Sequence, residues 1–342
     1  MTFVRISGRF ESEISVLTGS DNLGNYNTHA IARISVESGG DYRLYEVPVL
    51  TGNSLKHWHS VYLAQAYQSL GGRLLNELCR EGIGLRGYTV ESTLSNLKGA
   101  SSETEAIKDL CNDIHGFLIV KKGKGEKQIK RDSLVKVSFA APVFDINVLE
   151  FVTRFSETHN RIDPISTQKS NNQKSSNNEN TAQMIFKQEY SSSSLYGFNI
   201  SMNLNYVCKP MYETGSNDKV CSDESDEKEE IKLRKKASVL ALSYLFTGVG
   251  AKQSRALGIS RPVELLAAVS DSPIPNLIHG SYVDYMEKSI DIMKLFNNVK
   301  MLCYGENCKK LEKTGIEQTN SLNEFFKELL GLVSGESGSN NS

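Results

Sequence analysis

Apolar and polar residues alternate over several stretches of the chain, and between those stretches the period changes. From Phe3 to Leu17, Val4, Ile6, Ile14 and Val16 fall at even spacing, which predicts a long strand with side chains on alternate faces. A polar excursion from Thr18 to Asn27, holding Gly19, Gly24 and several asparagines, predicts turns. His29–Val36 and Tyr42–Val49 alternate again and predict two further strands, the last stopped near Pro48. Leu55, Trp58, Tyr62, Ala66 and Leu70 then recur at steps of three and four, the pattern of an amphipathic helix ended by Gly71 and Gly72. Shorter helical patterns follow at Leu74–Cys79 and Glu103–Asn112.

Strand patterns return at Gly116–Val120, Leu134–Phe139, Asn147–Glu157 and Leu195–Val207. A helix is predicted from Lys228 to Phe246, a strand at Val263–Val269, a helix from Tyr282 to Phe296, a strand at Val299–Tyr304 and a last helix over Leu322–Val333. Residues 166–181 are nearly all Ser, Asn, Gln and Lys, a composition that cannot offset chain entropy, so disorder is expected there. Without its insertions the order is strand, helix, strand, strand, helix, strand. That order predicts an α+β, RRM-like (ferredoxin-like) core: an antiparallel sheet with both helices on one face and the other face open, as in modules that hold single-stranded RNA.

Composition alters this picture little. The 342 residues carry 39 Lys and Arg against 40 Asp and Glu, a net charge of -1, so a polyanion-binding surface must gather its cations on one face. No apolar run is long enough to span a bilayer and no leader pattern precedes Arg5, so a cytoplasmic protein without membrane contact is expected. The six cysteines, Cys79, Cys111, Cys208, Cys221, Cys303 and Cys308, contain no CxxC pair and form no dense framework; Cys303 and Cys308 could form a redox pair or half a metal site, but with no second ligand pair beside them two thiols flanking a turn are expected.

Four segments resemble the major backbone proteins of type I CRISPR complexes, the DevR or Csa family. They are ISGRFESEISVLTGSDNLGNYNTHAIAR, VPVLTGNSLKHWHSVYLA, DIHGFL and TGVGAKQSRALG, and their order and spacing are closest to the archaeal type I-A branch. The resemblance implies a non-catalytic, sequence-neutral subunit that polymerises along CRISPR RNA in a Cascade-type antiviral complex. Its implied partners are CRISPR RNA, copies of itself, other Cascade subunits and, through the guide, target DNA; no cofactor or metal is implied. It also implies a discontinuous palm (1–54, 113–157 and 193–310), a helical insertion (55–112), a thumb hairpin (158–192) and a C-terminal helix and tail (311–342). The alternatives are an RNA endonuclease using Asp21, the one carboxylate between Thr18 and Thr28, and a transcriptional or developmental regulator.

Candidate RNA-binding residues fall in four places. In TGNSLKHWHS, Asn53 or Ser54 is expected to cap the helix, so that free N–H groups, Asn53 and Lys56 meet phosphate, with His57 and His59 beside them. His57 and His59 are two apart and share no helix face, which argues against a zinc pair. GVGAKQSRALG fails the spacing of a nucleotide-binding loop, but its glycines allow close backbone approach while Lys252, Ser254 and Arg255 donate. Asn22, Asn25 and His29 come from the polar excursion, and Arg154, His159 and Arg161 from the thumb base. The run from Lys121 to Lys136 is strongly basic but lacks interleaved aromatics and reads as a solvated turn.

Overall fold

In the computed structural model, residues 2–17, 19–23, 26–120, 128–162, 183–192, 194–213, 220–221, 227–248, 258–314 and 316–335 are described. The chain is mixed α and β, built on a seven-stranded sheet. Its order is β15 (Glu317–Thr319), β14 (Lys300–Tyr304), β13 (Ser260–Ser270), β1 (Phe3–Ser12), β12 (Ser194–Asn203) and β8 (Val135–Val137), with β9 (Ala141–Pro142) also on β12. Neighbours are antiparallel except β14 and β15. The expected first strand stops at Ser12 rather than Leu17, where β12 and β13 both run out of partner residues. The alternation expected from Asn147 breaks too: Ile146–Leu149 is a short helix, α5, capped by Asp145.

One face of this sheet is apolar. Val4, Ile6 and Phe10 from β1, Phe198, Ile200 and Met202 from β12 and Leu265 and Val269 from β13 pack into a single cluster. It also takes in α1 (Gly52–Ser69), α6 (Glu227–Thr247) and α8 (Leu322–Ser334). Leu55, Leu63 and Tyr67 of α1 belong to that cluster, so the boundary expected at residue 55 has no counterpart in the packing. The shorter α2 (Glu77–Arg80), α3 (Glu103–Ala106) and α4 (Leu110–His115) extend the helical layer.

The second face is not open. An irregular strap over residues 271–284, followed by α7 (Tyr285–Met293), lies across it and buries Ile274, Leu277, Met286 and Ile290 against Phe3, Leu266 and Ala268. The polar residues of β1 hold this strap by its backbone. Arg5 Nη2 donates to Ile274 O at 3.0 Å, Ser7 Oγ to Ile278 O at 2.7 Å, and Arg9 Nε and Nη2 to the carbonyls of Gly280 and Tyr282, each at 2.7 Å. Asn199 on β12 donates to Leu277 O. Gly280 lies against Gly8 and Gly197 against Ser281, so closely that a side chain at either glycine would collide with backbone.

A second sheet has the order β10 (Thr153–Ile162), β11 (Gln183–Ser192), β3 (Tyr26–His29) and β2 (Gly19–Leu23). It joins the polar excursion to the thumb-base strands, which the sequence presents as separate regions. β10 and β11 form an antiparallel pair starting at Thr153↔Ser192, five residues before the expected thumb boundary. The segment expected to be disordered, 166–181, lies outside the described residues. Two hairpins, β4 (Ile31–Ser38) with β5 (Asp41–Pro48) and β6 (Phe117–Ile119) with β7 (Ile129–Arg131), complete the fold.

Candidate nucleic-acid interface

Helix α1 starts where Gly52 packs against the Val137 carbonyl of β8. Its cap is Thr51, whose Oγ1 accepts from Ser54 N–H at 3.3 Å, and not Asn53 or Ser54 as the sequence suggests. The cap belongs to Thr51 because its backbone is extended, while Asn53 already lies inside the helix with its side chain exposed. Lys56 and His57 follow, both half-buried. The chain after α2 runs back along this helix: a side chain at Gly82 would touch Val61, and one at Gly84 would meet the His57 ring at 3.8 Å. This brings the half-buried Arg86 toward Lys56, while Lys136 reaches the same region from β8.

The electrostatic consequence is plain. Burial first, then the fields of Arg86 and Lys136, push the Lys56 ammonium down from its ordinary 10.5 to about 8. Among the described residues Lys56 makes no ion pair. Arg86 donates Nη1 to the His115 carbonyl at 3.3 Å, and only Asp109 acts on it as an opposite charge. Asp109 is itself buried, caps α4 and is pushed up to about 6 by desolvation. Two half-buried cations, Lys56 and Arg86, and the exposed Lys136 thus act on one another, an arrangement that an anion entering from solvent would relieve.

His59 does not join them. It is wholly buried: its Nε2 meets Ser238 O at 2.9 Å and its Nδ1 meets His115 Nε2 at 3.0 Å. A carbonyl can only accept, so His59 carries its proton on Nε2 and accepts on Nδ1 from His115. Burial lowers His59 to about 4 and His115 well below 6.5. With both ring nitrogens used inside the core, His59 offers nothing to a phosphate, and that expectation is corrected.

The DIHGFL segment is also internal from Asp113 to Phe117, with only Leu118 exposed. Asp113 accepts from Arg131 Nη2 at 2.6 Å, from Arg234 Nη1 at 2.8 Å and from Cys208 N–H at 3.1 Å. Arg131 further pairs with Glu103 at 3.0 Å and Arg234 with Glu230 at 2.6 Å, all of these charged groups being buried or nearly so. Gly116 turns with φ +70°, and a side chain there would strike the backbone at Arg131–Ser133. Asp113, Cys208 and Cys221 lie close enough to suggest a metal site, but two guanidiniums already occupy the carboxylate and the two sulfurs are joined to each other. The cysteines are in fact all paired: Cys79–Cys111, Cys208–Cys221 and Cys303–Cys308, so the expectation of two thiols at 303 and 308 is also corrected. The fold brings together partners up to 32 residues apart, which no local spacing reveals.

In the second sheet His29 is 1% exposed; its Nε2 accepts from Leu17 N–H at 3.1 Å and its Nδ1 faces Glu189 at 3.7 Å. Burial lowers it to about 4. It therefore locks β3 to β11 rather than presenting a donor to solvent, contrary to expectation. Arg154 is exposed at the edge of the same sheet, 3.5 Å from Glu189. The backbones of Asn22, His159 and Arg161 belong to β2 and β10, and their side chains lie outside the described residues, as does that of Asp21. Asn25, Lys252, Ser254 and Arg255 lie outside the described residues altogether. The glycine-rich segment nevertheless leaves α6 beside α1, where Tyr62 Oη donates to Gly248 O at 3.2 Å.

The cations that the fold adds, Arg86 and Lys136, gave little warning in the sequence. Arg86 sits in an irregular loop, and Lys136 ends a charge run that reads as solvated.

A family model described as "CRISPR-associated negative auto-regulator DevR/Csa2" matches residues 6–290. The chain is similar to a "CRISPR-associated protein Cas7/Cst2/DevR" of Thermoproteus tenax, 48% identical over 334 residues that cover 96% of this chain and 94% of the relative. A protein of the same description from Methanocaldococcus jannaschii is 31% identical, with 90% of each chain covered. A "CRISPR-associated aCascade subunit Cas7/Csa2 2" of Saccharolobus solfataricus is 25% identical, covering 83% of this chain and 85% of that one. Among solved structures, a chain of a "CRISPR RNA-guided surveillance complex" aligns over 96% of this chain and 99% of its own, with 13% identity and a TM-score of 0.47.

Proposed function

The chain belongs to the CRISPR-associated DevR/Csa2 family, and from this we propose that it is a non-catalytic backbone subunit of a Cascade-type complex that binds CRISPR RNA without regard to sequence. The observation that carries the reading is Lys56, half-buried at the start of α1 within the fields of Arg86 and Lys136, with no ion-pair partner among the described residues. Ammonium and guanidinium groups grip sugar-phosphate and leave base edges free, which suits a guide that must pair with target DNA. Asn53, exposed one turn before His57, adds a neutral donor to the same surface. Arg154, at the exposed edge of the second sheet, is a further contact, and the same role is assigned to Asn22, Asn25, His159, Arg161, Lys252, Ser254 and Arg255 on their donor chemistry alone. Copies of the chain follow one another along the RNA, alongside other Cascade subunits.

An RRM-like ancestry for the core is supported by the strand order β13-β1-β12-β8, with α1 after β1 and α6 between β12 and β13. The roofed second face moves the RNA path away from where such modules ordinarily hold it. RNA instead meets the helical edge at the start of α1.

The test is fluorescence anisotropy of two labelled single-stranded RNAs of unrelated sequence across a salt series. Equal affinities that fall steeply with salt, and weaken with Lys56→Ala, are expected. A strong preference for one sequence, or for duplex DNA, would count against the proposal. A Mg²⁺-dependent cut of complementary RNA that disappears in Asp21→Ala would replace it with the endonuclease alternative.

A further inference from the structure

The segment between Cys79 and Cys111 shapes the cation site from both ends. Its first part lies along α1, passing Val61 and His57 before delivering Arg86 beside Lys56. At its far end it enters α4, which carries Cys111 and continues to His115 and presses on the same helix: Cys111 Sγ lies 3.6 Å from Ser60 Oγ, and His115 meets His59. Arg86 is held from α4, by its own bond to the His115 carbonyl and by Gly87 N–H donating to Asn112 Oδ1 at 2.8 Å. The two ends of the segment meet at Cys79 and Cys111, whose Cα atoms are 5.9 Å apart and which are 3% and 5% exposed.

The pairing is not an accident of crowding. Six cysteines scattered without local motif all find partners, in three separate pairs, and none is left over. Reduced thiols with purely packing roles have no reason to sort themselves this way. Inside cells such cross-links are uncommon outside hyperthermophiles, so their presence in the working protein is a definite claim.

We propose that the Cys79–Cys111 cross-link is formed in the working protein and fixes Arg86 in the polyanion site, so that RNA affinity depends on the oxidation of this pair. The inference rests on the RNA-binding reading above. Closing the link joins the two sulfurs and passes two electrons and the two thiol protons to the disulfide of a thiol-exchange protein, which leaves as a dithiol. Because both sulfurs are buried in the finished fold, reopening requires the 80–110 segment to lift from α1.

The first measurement is on the wild-type chain, purified without reductant, denatured and treated with iodoacetamide. Cys79 and Cys111 are expected to stay unmodified and to appear as one linked peptide pair by mass spectrometry; alkylation of both would overturn the proposal. The second compares binding of a labelled oligouridine across a salt series for wild type, Cys79→Ser/Cys111→Ser, Arg86→Gln and, as a distant control, Cys303→Ser/Cys308→Ser. The first pair of substitutions and Arg86→Gln should each flatten the log–log salt slope by about 0.7, one phosphate contact on a single strand. Together they should flatten it no further, and the control should keep the wild-type slope. An unchanged slope in Cys79→Ser/Cys111→Ser would overturn the proposal. Should that variant fail to fold by circular dichroism, tryptic cutting after Arg80 and Arg86 in native wild type is compared with and without reductant. Faster cutting on reduction supports the cross-link's role, and equal rates refute it. A wild-type chain that ignores RNA altogether defeats the RNA reading, and alkylation and tryptic cutting then judge the cross-link alone.

Discussion

Arg131 and Arg234 are buried among carboxylates, whereas Lys56 and Arg86 are half-buried among other cations. The two groups are joined through α4, since Asp113 clamps the first pair and His115, two residues on, holds Arg86 by its carbonyl. In the first group charge is balanced inside the chain, and the arrangement holds α3, α4, α6 and β7 together. In the second, Lys56 has no ion pair among the described residues. The fold neutralises its buried guanidiniums from within, yet leaves the Lys56 ammonium lowered by burial and by like charges, which is the contrast on which the proposed RNA contact rests.

The sharpest way to break this contrast is at Asp113. Asp113→Ala leaves two buried guanidiniums short of a partner and should cost about 3–5 kcal/mol in urea unfolding. A wild-type midpoint would show that the balanced cluster does not hold the fold together.

Acid comes next in size. Burial keeps His59 neutral, lowered to about 4 from an ordinary 6.5, with His115 lower than 6.5 as well. The unfolded chain therefore takes up protons that the folded chain refuses. Stability is fully present above pH 6.5 and is lost as pH falls from there toward 4. His59 alone accounts for roughly 3 kcal/mol by pH 4. Thermal melts from pH 7.5 to 4.5 should show the decline, and His59→Gln should make the profile shallower.

Lys56 separates function from stability. Its folded value of about 8 lies below its ordinary 10.5, so below pH 8 its charge costs the isolated chain stability, a cost relieved between pH 8 and 10.5. After allowance for its partial exposure, Lys56→Met should stabilise the free protein by about 1 kcal/mol at pH 7 while flattening the RNA salt slope by about 0.7. RNA affinity of the wild type should weaken as pH rises past 8, and Lys56→Arg should remove that dependence. A Lys56→Met protein that is less stable, or binds as wild type, would erase the distinction between the two regions.

The smallest effect checks the helix start. Thr51→Ala should cost about 1 kcal/mol through loss of the cap, and Asn53→Ala less than about 0.5 kcal/mol. Chemical denaturation of the two variants side by side resolves this.

Much of the framework was legible in the chain. Period-two runs located β1, β4, β5 and β12, and the three-and-four spacing from Leu55 located α1, because alternate residues of a strand, and every third or fourth residue of a helix, share a face and with it a polarity. Lys56 was legible as a candidate, since it follows a helix start. Arg86 and Lys136 were not, because their meaning comes from neighbours distant in sequence. His29 and His59 misled for the same reason: a polar residue looks alike whether it faces water or a buried partner.

By itself the sequence determined the α+β class and the family. Tertiary structure alone decided that Arg5, Ser7 and Arg9, polar as an open face would be, instead satisfy the carbonyls of the strap over residues 271–284. It also decided which cations stand together and which cysteines meet. The physical reason is common to all three. Alternation records whether a side chain leaves the apolar core, while its polar partner is chosen by contacts across the fold, and nothing local in the chain encodes them.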